Sequence, residues 1–218
     1  MNTKPHIKIC CISSITEAQM AISFGADALG LVGQMPSGPG IITDELINQI
    51  ARAVPPPVAS FLLTSQTTAS GIIAHYQKVN TSVIQLVDAV SADTYHAIRL
   101  ALPSIKLVQV IHVIDQKTLE EALAIAPNVD ALLLDSGNPN LAIKELGGTG
   151  RTHNWALSQQ IVARCGKPVF LAGGLNPNNV KEAIEAVKPF GLDLCSGVRT
   201  NNKLDPHKLE AFMKAVYA

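Results

Sequence analysis

The chain has 218 residues, of which 47% are hydrophobic and only 16% charged, so one domain spanning residues 1–218 can bury a large core. Lys and Arg together number 17, as do Asp and Glu, and this balance excludes the basic surface of a nucleic-acid-binding or membrane-binding protein. No apolar run is long enough to span a bilayer, and no apolar segment follows residues 1–6 as in a signal peptide, so we expect a cytoplasmic protein.

Short apolar runs alternate with segments of helical periodicity along the whole chain, which predicts eight strand–helix units. The strands are predicted at 7–10, 28–32, 58–63, 82–86, 107–111, 131–135, 169–172 and 192–195. The helices are predicted at about 14–24, 43–53, 69–79, 91–101, 117–126, 155–165, 177–187 and 206–217. Regular alternation implies a parallel sheet, and eight repeats in one compact domain predict a closed (β/α)8 TIM barrel.

Three glycine-rich turns lie in the last third of the chain, and two of them directly follow predicted strands. Backbone N–H groups in such turns can approach an anion without a Cβ in the way, and turns that end neighbouring strands can converge on one phosphate. We therefore predict a phosphorylated small-molecule substrate. The predicted phosphate-binding residues are Gly147, Gly148, Thr149, Gly150, Gly173, Gly174, Ser196 and Gly197.

The active site of such a barrel lies at the carboxyl ends of its strands, where Cys10 and Asp135 are predicted. Strand alternation places Lys8 and Cys10 on the inward face and Cys11 on the opposite face, so Cys10 is predicted to be reactive and Cys11 to be packed. Asp135 follows three leucines, an apolar setting that raises a carboxyl pKa and suits it to general-acid catalysis. This thiol and carboxylic acid suit proton transfers on a sugar phosphate.

The other titratable residues indicate neither a metal site nor a cofactor site. The four cysteines lack metal-ligand spacing and are expected to be free thiols, and the turn at 147–150 lacks the lysine and spacing of a P-loop. We expect His75, His96 and His207 to be solvated on helix surfaces.

Several segments carry a more specific pattern: 8–10, 25–30, 133–136, 147–150 with Trp155, 171–180 and 189–198. In this order they resemble the phosphoribosylanthranilate isomerases of tryptophan biosynthesis over nearly the whole chain, the last two segments most specifically. The resemblance implies a TIM barrel that performs an Amadori rearrangement without a cofactor. It also implies that Cys10 is the general base, that Asp135 is the general acid and that the glycine turns hold the 5′-phosphate.

Other positions depart from the family pattern, mostly where the part of the substrate beyond the sugar would bind. Cys11 replaces the glycine of Lys-Ile-Cys-Gly, Val87 stands where the family has a histidine, and residues 36–40 lack the arginine expected to face the anthranilate carboxylate. The 35–40 loop reads equally as a mobile lid or as a plain turn. Further candidates for substrate contact are Lys8, Gln85, His112 and Arg151.

Three functions are therefore consistent with the sequence. The first is the isomerase itself with a rearranged anthranilate pocket, acting on a phosphoribosyl small molecule. The second is a paralogous aldose–ketose isomerase for another phosphoribosyl amine or sugar phosphate, and the third is a non-catalytic barrel that binds a phosphate ligand. The sequence fits either a monomer or a homodimer.

Overall fold

A computed structural model describes residues 4–137 and 152–217. Eight parallel strands form a closed barrel in the order β1 to β8, and β8 pairs with β1 to complete it. The strands are β1 (His6–Ile9), β2 (Ala28–Val32), β3 (Ala59–Thr64), β4 (Val83–Leu86), β5 (Lys106–His112), β6 (Ala131–Asp135), β7 (Val169–Leu171) and β8 (Gly191–Leu194). The predicted (β/α)8 barrel is confirmed.

A helix follows every strand on the outside of the barrel. The helices are α1 (Ile15–Ser23), α2 (Asp44–Ala53), α3 (Ala69–Val79), α4 (Ala92–Ala101), α5 (Lys117–Ile125), α6 (Trp155–Arg164), α7 (Val180–Val187) and α8 (Pro206–Tyr217). Short 3-10 turns cover Ala126–Asn128 and Ser196–Val198. In the described part of the chain, no helix combines the length and the apolar character needed to cross a membrane.

Polar residues at the helix starts explain where the helices begin. The Ser14 hydroxyl accepts a hydrogen bond from the Glu17 backbone N–H at 3.1 Å, and the Glu17 carboxylate accepts one from the Ser13 N–H at 3.0 Å, which caps the start of α1. The seventh helix begins at Val180 rather than at Pro177, because Asn176 and Asn179 form local side-chain hydrogen bonds that hold a turn before it.

Two layers of apolar side chains surround the strands, as expected for parallel strands covered on both faces. The larger layer lies between strands and helices and includes Ile7, Ile9, Leu29, Leu31, Leu132 and Leu134. The smaller layer fills the barrel interior and includes Phe61, Val83, Val108, Val110, Leu133 and Phe170. Residues two apart therefore share a face, which directs Gln85, His112 and Asp135 inward at the strand ends.

A two-stranded ribbon after the barrel was not predicted. Strands β9 (Arg199–Thr200) and β10 (Lys203–Leu204) pair in antiparallel fashion. Asn201 and Asn202 between them both have positive φ, at 50° and 62°, which matches the tight hairpin turn that asparagine tolerates. The ribbon places Arg199 against the start of the chain.

Candidate active site

The main pocket opens at the carboxyl ends of the barrel strands, where the sequence predicted the site. It contains both predicted acid–base residues, Cys10 and Asp135. One wall is formed by Met35, Ser37, Gly38 and Pro39 of the loop after β2, and the opposite side by the turns after β7 and β8. The two predicted acid–base residues and two of the three predicted phosphate turns therefore line one cavity.

Cys10 follows β1 and is held by backbone contacts on both sides. Its N–H donates to the Leu194 carbonyl at 2.7 Å, and its carbonyl accepts from the Arg199 guanidinium at 3.2 Å. Gly30 of β2 leaves room for it, because a Cβ there would lie 2.8 Å from the Cys10 Sγ and 3.2 Å from the Lys8 Nζ. A side chain at position 30 would displace the thiol.

The expectation that Cys11 packs away from the pocket is wrong. Strand β1 ends at Ile9, and Cys11 has a left-handed backbone with φ of 62°, so strand alternation no longer sets its direction. Cys11 lines the pocket beside Cys10, with their Sγ atoms 3.9 Å apart. Its Sγ also lies 2.9 Å from the Sγ of Cys195, which follows β8.

Asp135 ends β6 and is almost completely buried, with 6% of its surface exposed. Burial raises the pKa of its carboxyl to about 6, and nearby Asp193 adds to the shift. The Ser136 N–H donates to its Oδ1 at 2.7 Å and, with Lys8, limits the rise. Asp135 therefore keeps a proton at a much higher pH than an ordinary aspartate, as the apolar sequence around it predicted.

Lys8 is fully buried inside the barrel and forms an ion pair with Asp193, with 2.7 Å between Nζ and Oδ1. Burial alone would lower the Lys8 pKa, but Asp193 and the neighbouring Cys10 reverse the effect and raise it. Asp193 lines the pocket whereas Lys8 does not, so Lys8 lies under the pocket floor. Its ammonium also lies 5.2 Å from the centre of the Phe61 ring.

A second buried ion pair lies behind the cysteines and was not anticipated. Arg199 donates to both carboxylate oxygens of Glu17, at 3.2 and 3.1 Å, and to the backbone carbonyls of Cys10 and Cys11. Burial would raise the Glu17 pKa, but these contacts and the Leu204 N–H lower it. The guanidinium therefore fixes the backbone that carries both thiols.

Two of the three predicted phosphate turns lie side by side at the pocket. Gly173 and Gly174 have positive φ, at 84° and 62°, a conformation that favours glycine. A Cβ on Gly197 would collide with the Leu175 carbonyl, so glycine there lets the turns after β7 and β8 touch. Ser196 also lines the pocket. The predicted turn residues Gly147, Gly148, Thr149 and Gly150 lie outside the described residues.

The other predicted substrate contacts do not all line the pocket. Gln85 lines the pocket, and its Oε1 is buried without a hydrogen-bond partner in the described structure. His112 shares the inward face of β5 with Val110 but lies just beyond the lining residues. Burial lowers the His112 pKa, an effect that the Val87 carbonyl and Asp88 only partly oppose. Arg151 lies outside the described residues.

The expectation of a solvated His75 is wrong, whereas His96 and His207 are exposed as predicted. The His75 ring fills the space left by Gly33. Its Nδ1 lies 2.9 Å from the Thr64 hydroxyl and its Nε2 lies 3.1 Å from Asp44, so it joins β3 to the start of α2. The position on α3 gave no sign of this, because the partners come from distant parts of the chain.

Within residues 4–137 and 152–217, no cluster of His, Cys, Asp or Glu has the arrangement of a metal site. The closed barrel and its pocket instead define a (β/α)8-barrel enzyme with a site for a small organic molecule. The family model described as N-(5'phosphoribosyl)anthranilate (PRA) isomerase matches residues 7–215. The chain belongs to this family of isomerases.

Individual relatives agree with the family match. N-(5'-phosphoribosyl)anthranilate isomerase 2 of Methanosarcina mazei is 36% identical over 198 residues, which cover 90% of this chain and 87% of the relative. The isomerase of Methanocella arvoryzae is 34% identical over 212 residues, 97% of each chain.

Solved structures agree as well. The crystal structure of the Thermotoga maritima enzyme has a TM-score of 0.84 and 28% identity, with 98% of each chain covered. A phosphoribosyl anthranilate isomerase in complex with reduced 1-(o-carboxyphenylamino)-1-deoxyribulose 5-phosphate has a TM-score of 0.81 and 26% identity, again with 98% of each chain covered.

Proposed function

We propose that this chain converts N-(5-phosphoribosyl)anthranilate into its 1-deoxyribulose 5-phosphate isomer, the Amadori rearrangement of tryptophan biosynthesis. Asp135 protonates the furanose ring oxygen, and the ring opens to a Schiff base. Cys10, as thiolate, removes the proton at C2, and the resulting enolamine relaxes to the ketone. Each step moves one proton, which is the chemistry that a thiol and a carboxylic acid supply.

The observation that carries this proposal is the buried Asp135 in the same pocket as Cys10. A pKa of about 6 leaves a useful fraction of the carboxyl protonated near neutral pH, whereas an ordinary aspartate is almost fully ionised there. The Lys8 ammonium lies beneath the pocket floor and interacts electrostatically with Cys10.

We assign the 5′-phosphate to the turns after β7 and β8. Gly173, Gly174, Ser196 and Gly197 all line the pocket, and the glycines expose backbone N–H groups without a side chain in the way. This position puts the phosphate opposite the 35–40 loop, so the aromatic part of the substrate would lie toward that loop.

The lining near the loop supports a second candidate, an isomerase for a phosphoribosyl amine without a carboxylate. Among the described pocket residues there is no Lys or Arg to pair with the anthranilate carboxylate. Apolar Val32, Met35, Val87 and Val110 predominate there. A missing charge-assisted contact costs about 1.5–3 kcal/mol, roughly tenfold to somewhat more than a hundredfold in binding.

A steady-state assay with two substrates separates the candidates. Phosphoribosylanthranilate and the phosphoribosyl derivative of aniline, which lacks the carboxylate, would be generated in place and their loss followed. A larger kcat/KM with the anthranilate substrate supports the first function. Turnover of the aniline substrate alone overturns it in favour of the second, and turnover of neither by folded protein overturns both.

We further propose that the protein acts as a monomer or a homodimer in the cytoplasm. One solved relative is described as monomers generated from the dimeric isomerase of Thermotoga maritima, so this family supports both states. Sedimentation equilibrium at several protein concentrations would distinguish them.

A further inference from the structure

We propose that Cys11 and Cys195 form an oxidation site, at which a hydroperoxide converts the two thiols into a reversible disulfide across the pocket mouth. Their Sγ atoms are 2.9 Å apart, although the residues are 184 positions apart in sequence. A disulfide bond is about 2.05 Å long, so closing it needs a movement of less than about 1 Å.

The backbone holds Cys11 toward its partner. Its left-handed conformation, with φ of 62°, turns the side chain away from the helix layer and into the pocket. The Arg199 guanidinium donates to the Cys11 carbonyl. Gly40 packs closely against Cys11, because a Cβ added to Gly40 would lie only 2.5 Å from the Cys11 Cβ. Cys11 therefore has little freedom to move away from Cys195.

The charges around the pair favour one thiolate and one thiol. The hydrogen bond with Cys11 lowers the pKa of Cys195, and the positive charges of Arg199 and Lys8 act in the same direction, against burial and Asp193. Hydrogen bonds to Cys10 and Cys195, together with burial, raise the pKa of Cys11. Cys195 is also the more exposed of the two, so a small oxidant entering the pocket reaches it.

The chemistry then balances in two steps. The Cys195 thiolate attacks one oxygen of the hydroperoxide, the O–O bond breaks, and a sulfenic acid and an alkoxide form, the alkoxide taking a proton from water. The Cys11 sulfur then attacks the Cys195 sulfur, the S–S bond forms, and hydroxide leaves with the Cys11 proton as water. The two sulfurs lose two electrons and the peroxide gains them.

Cys10 is the competing partner, and the geometry disfavours it. The Sγ atoms of Cys10 and Cys11 are 3.9 Å apart, 1.0 Å farther than the Cys11–Cys195 pair. Cys10 and Cys11 are also adjacent in sequence, and a bridge between neighbours needs a distorted backbone. The oxidised form should therefore keep Cys10 as a free thiol.

Oxidation should nevertheless lower activity. Cys11 adjoins Cys10, and Cys195 adjoins Ser196 of the proposed phosphate turn, so closing the bridge shifts both parts of the site. A displacement of about 1 Å in a catalytic arrangement can lower the rate about a hundredfold.

The test treats the purified chain with a small excess of hydrogen peroxide and then measures its mass and its thiols after unfolding. The expected result is a mass loss of about 2 Da, a fall from four titratable thiols to two, and a peptide that links Cys11 to Cys195, all reversed by dithiothreitol. These readouts do not require isomerase activity, so they stand apart from the proposed function.

Two variants make the result specific. Cys195→Ser should abolish the linked peptide, whereas Cys165→Ser, at the end of α6, should leave the link unchanged. A link between Cys10 and either other cysteine, four remaining thiols, or sulfinic acid at Cys195 without any link would each overturn the proposal.

Discussion

The Lys8 ammonium and the Asp193 carboxylate form an ion pair of 2.7 Å inside the barrel, directly under the pocket that holds Cys10 and Asp135. Lys8 has no exposed surface, and the two residues come from the first and last strands, which close the barrel. The pair therefore connects the two strands that close the barrel, and its charges also act on the titratable residues of the site. Its positive member favours the Cys195 thiolate, and its negative member favours a protonated Asp135.

Replacement of Lys8 by methionine should be strongly destabilising. The substitution keeps an unbranched side chain of nearly the same length but leaves the Asp193 carboxylate without its partner, which costs about 3–5 kcal/mol of unfolding free energy. Urea unfolding measures this change. The double variant Lys8→Met/Asp193→Leu should recover much of the loss, and equal stability of the Lys8→Met variant and the wild type would disprove the role of the pair.

The stability of the wild type should fall as the pH rises through the range where Asp135 titrates. Because the folded-state pKa of about 6 lies above the ordinary value of 3.8, its contribution is fully present below pH 3.8 and is lost as the pH passes about 6. The loss is about 3 kcal/mol relative to Asp135→Asn, which has no ionisable group at this position.

Unfolding by urea at several pH values from about 4 to about 8 would measure this difference in the free energy of unfolding. The gap between the wild type and Asp135→Asn should change in favour of the variant as the pH rises. A gap that stays constant across this range would mean that the Asp135 pKa is not raised.

Gly30→Ala should reduce activity, although it adds only one methyl group. The new Cβ would lie 2.8 Å from the Cys10 Sγ and 3.0 Å from its Cα, so the thiol must move. Overpacking of this kind costs about 1–3 kcal/mol of stability. We expect a lower kcat for a protein that still folds, measured in the isomerase assay with circular dichroism as the folding check. A wild-type kcat would show that the added methyl group does not displace the Cys10 thiol.

His75→Ala should destabilise the protein, whereas His96→Ala should not. His75 is buried and links Thr64 to Asp44, so its removal leaves a cavity and takes away one hydrogen-bond partner of the buried Thr64 hydroxyl, at a cost of about 2–4 kcal/mol. His96 is exposed on α4 and serves as the matched control. Thermal unfolding of both variants makes the comparison, and equal melting temperatures would contradict the buried position of His75.

Most of the fold could be predicted from the sequence, because the patterns that define strands and helices are local. The bounds of β2, β6, α3 and α8 are those predicted. Short apolar runs and the residues that start or end a helix act within a few positions, so they can be recognised in the sequence. The position of Asp135 at a strand end, and its raised pKa, also followed from three neighbouring leucines.

What the sequence could not supply depends on long-range geometry. Lys8 and Asp193 are 185 positions apart, and Arg199 and Glu17 are 182 apart, so no local pattern connects them. The direction of Cys11 depends on one backbone torsion angle that ends the strand pattern. The family resemblance marked position 11 as an ordinary glycine site, which in hindsight signals a left-handed residue.

The most direct test of the proposed mechanism is the kcat of Cys10→Ala and Asp135→Asn with phosphoribosylanthranilate, beside the wild type and Cys165→Ala. If Cys10 is the base and Asp135 the acid, each single substitution should lower kcat by about 10²–10⁴-fold while the control keeps its activity. A folded Cys10→Ala or Asp135→Asn variant with wild-type kcat would contradict the assignment of these two residues.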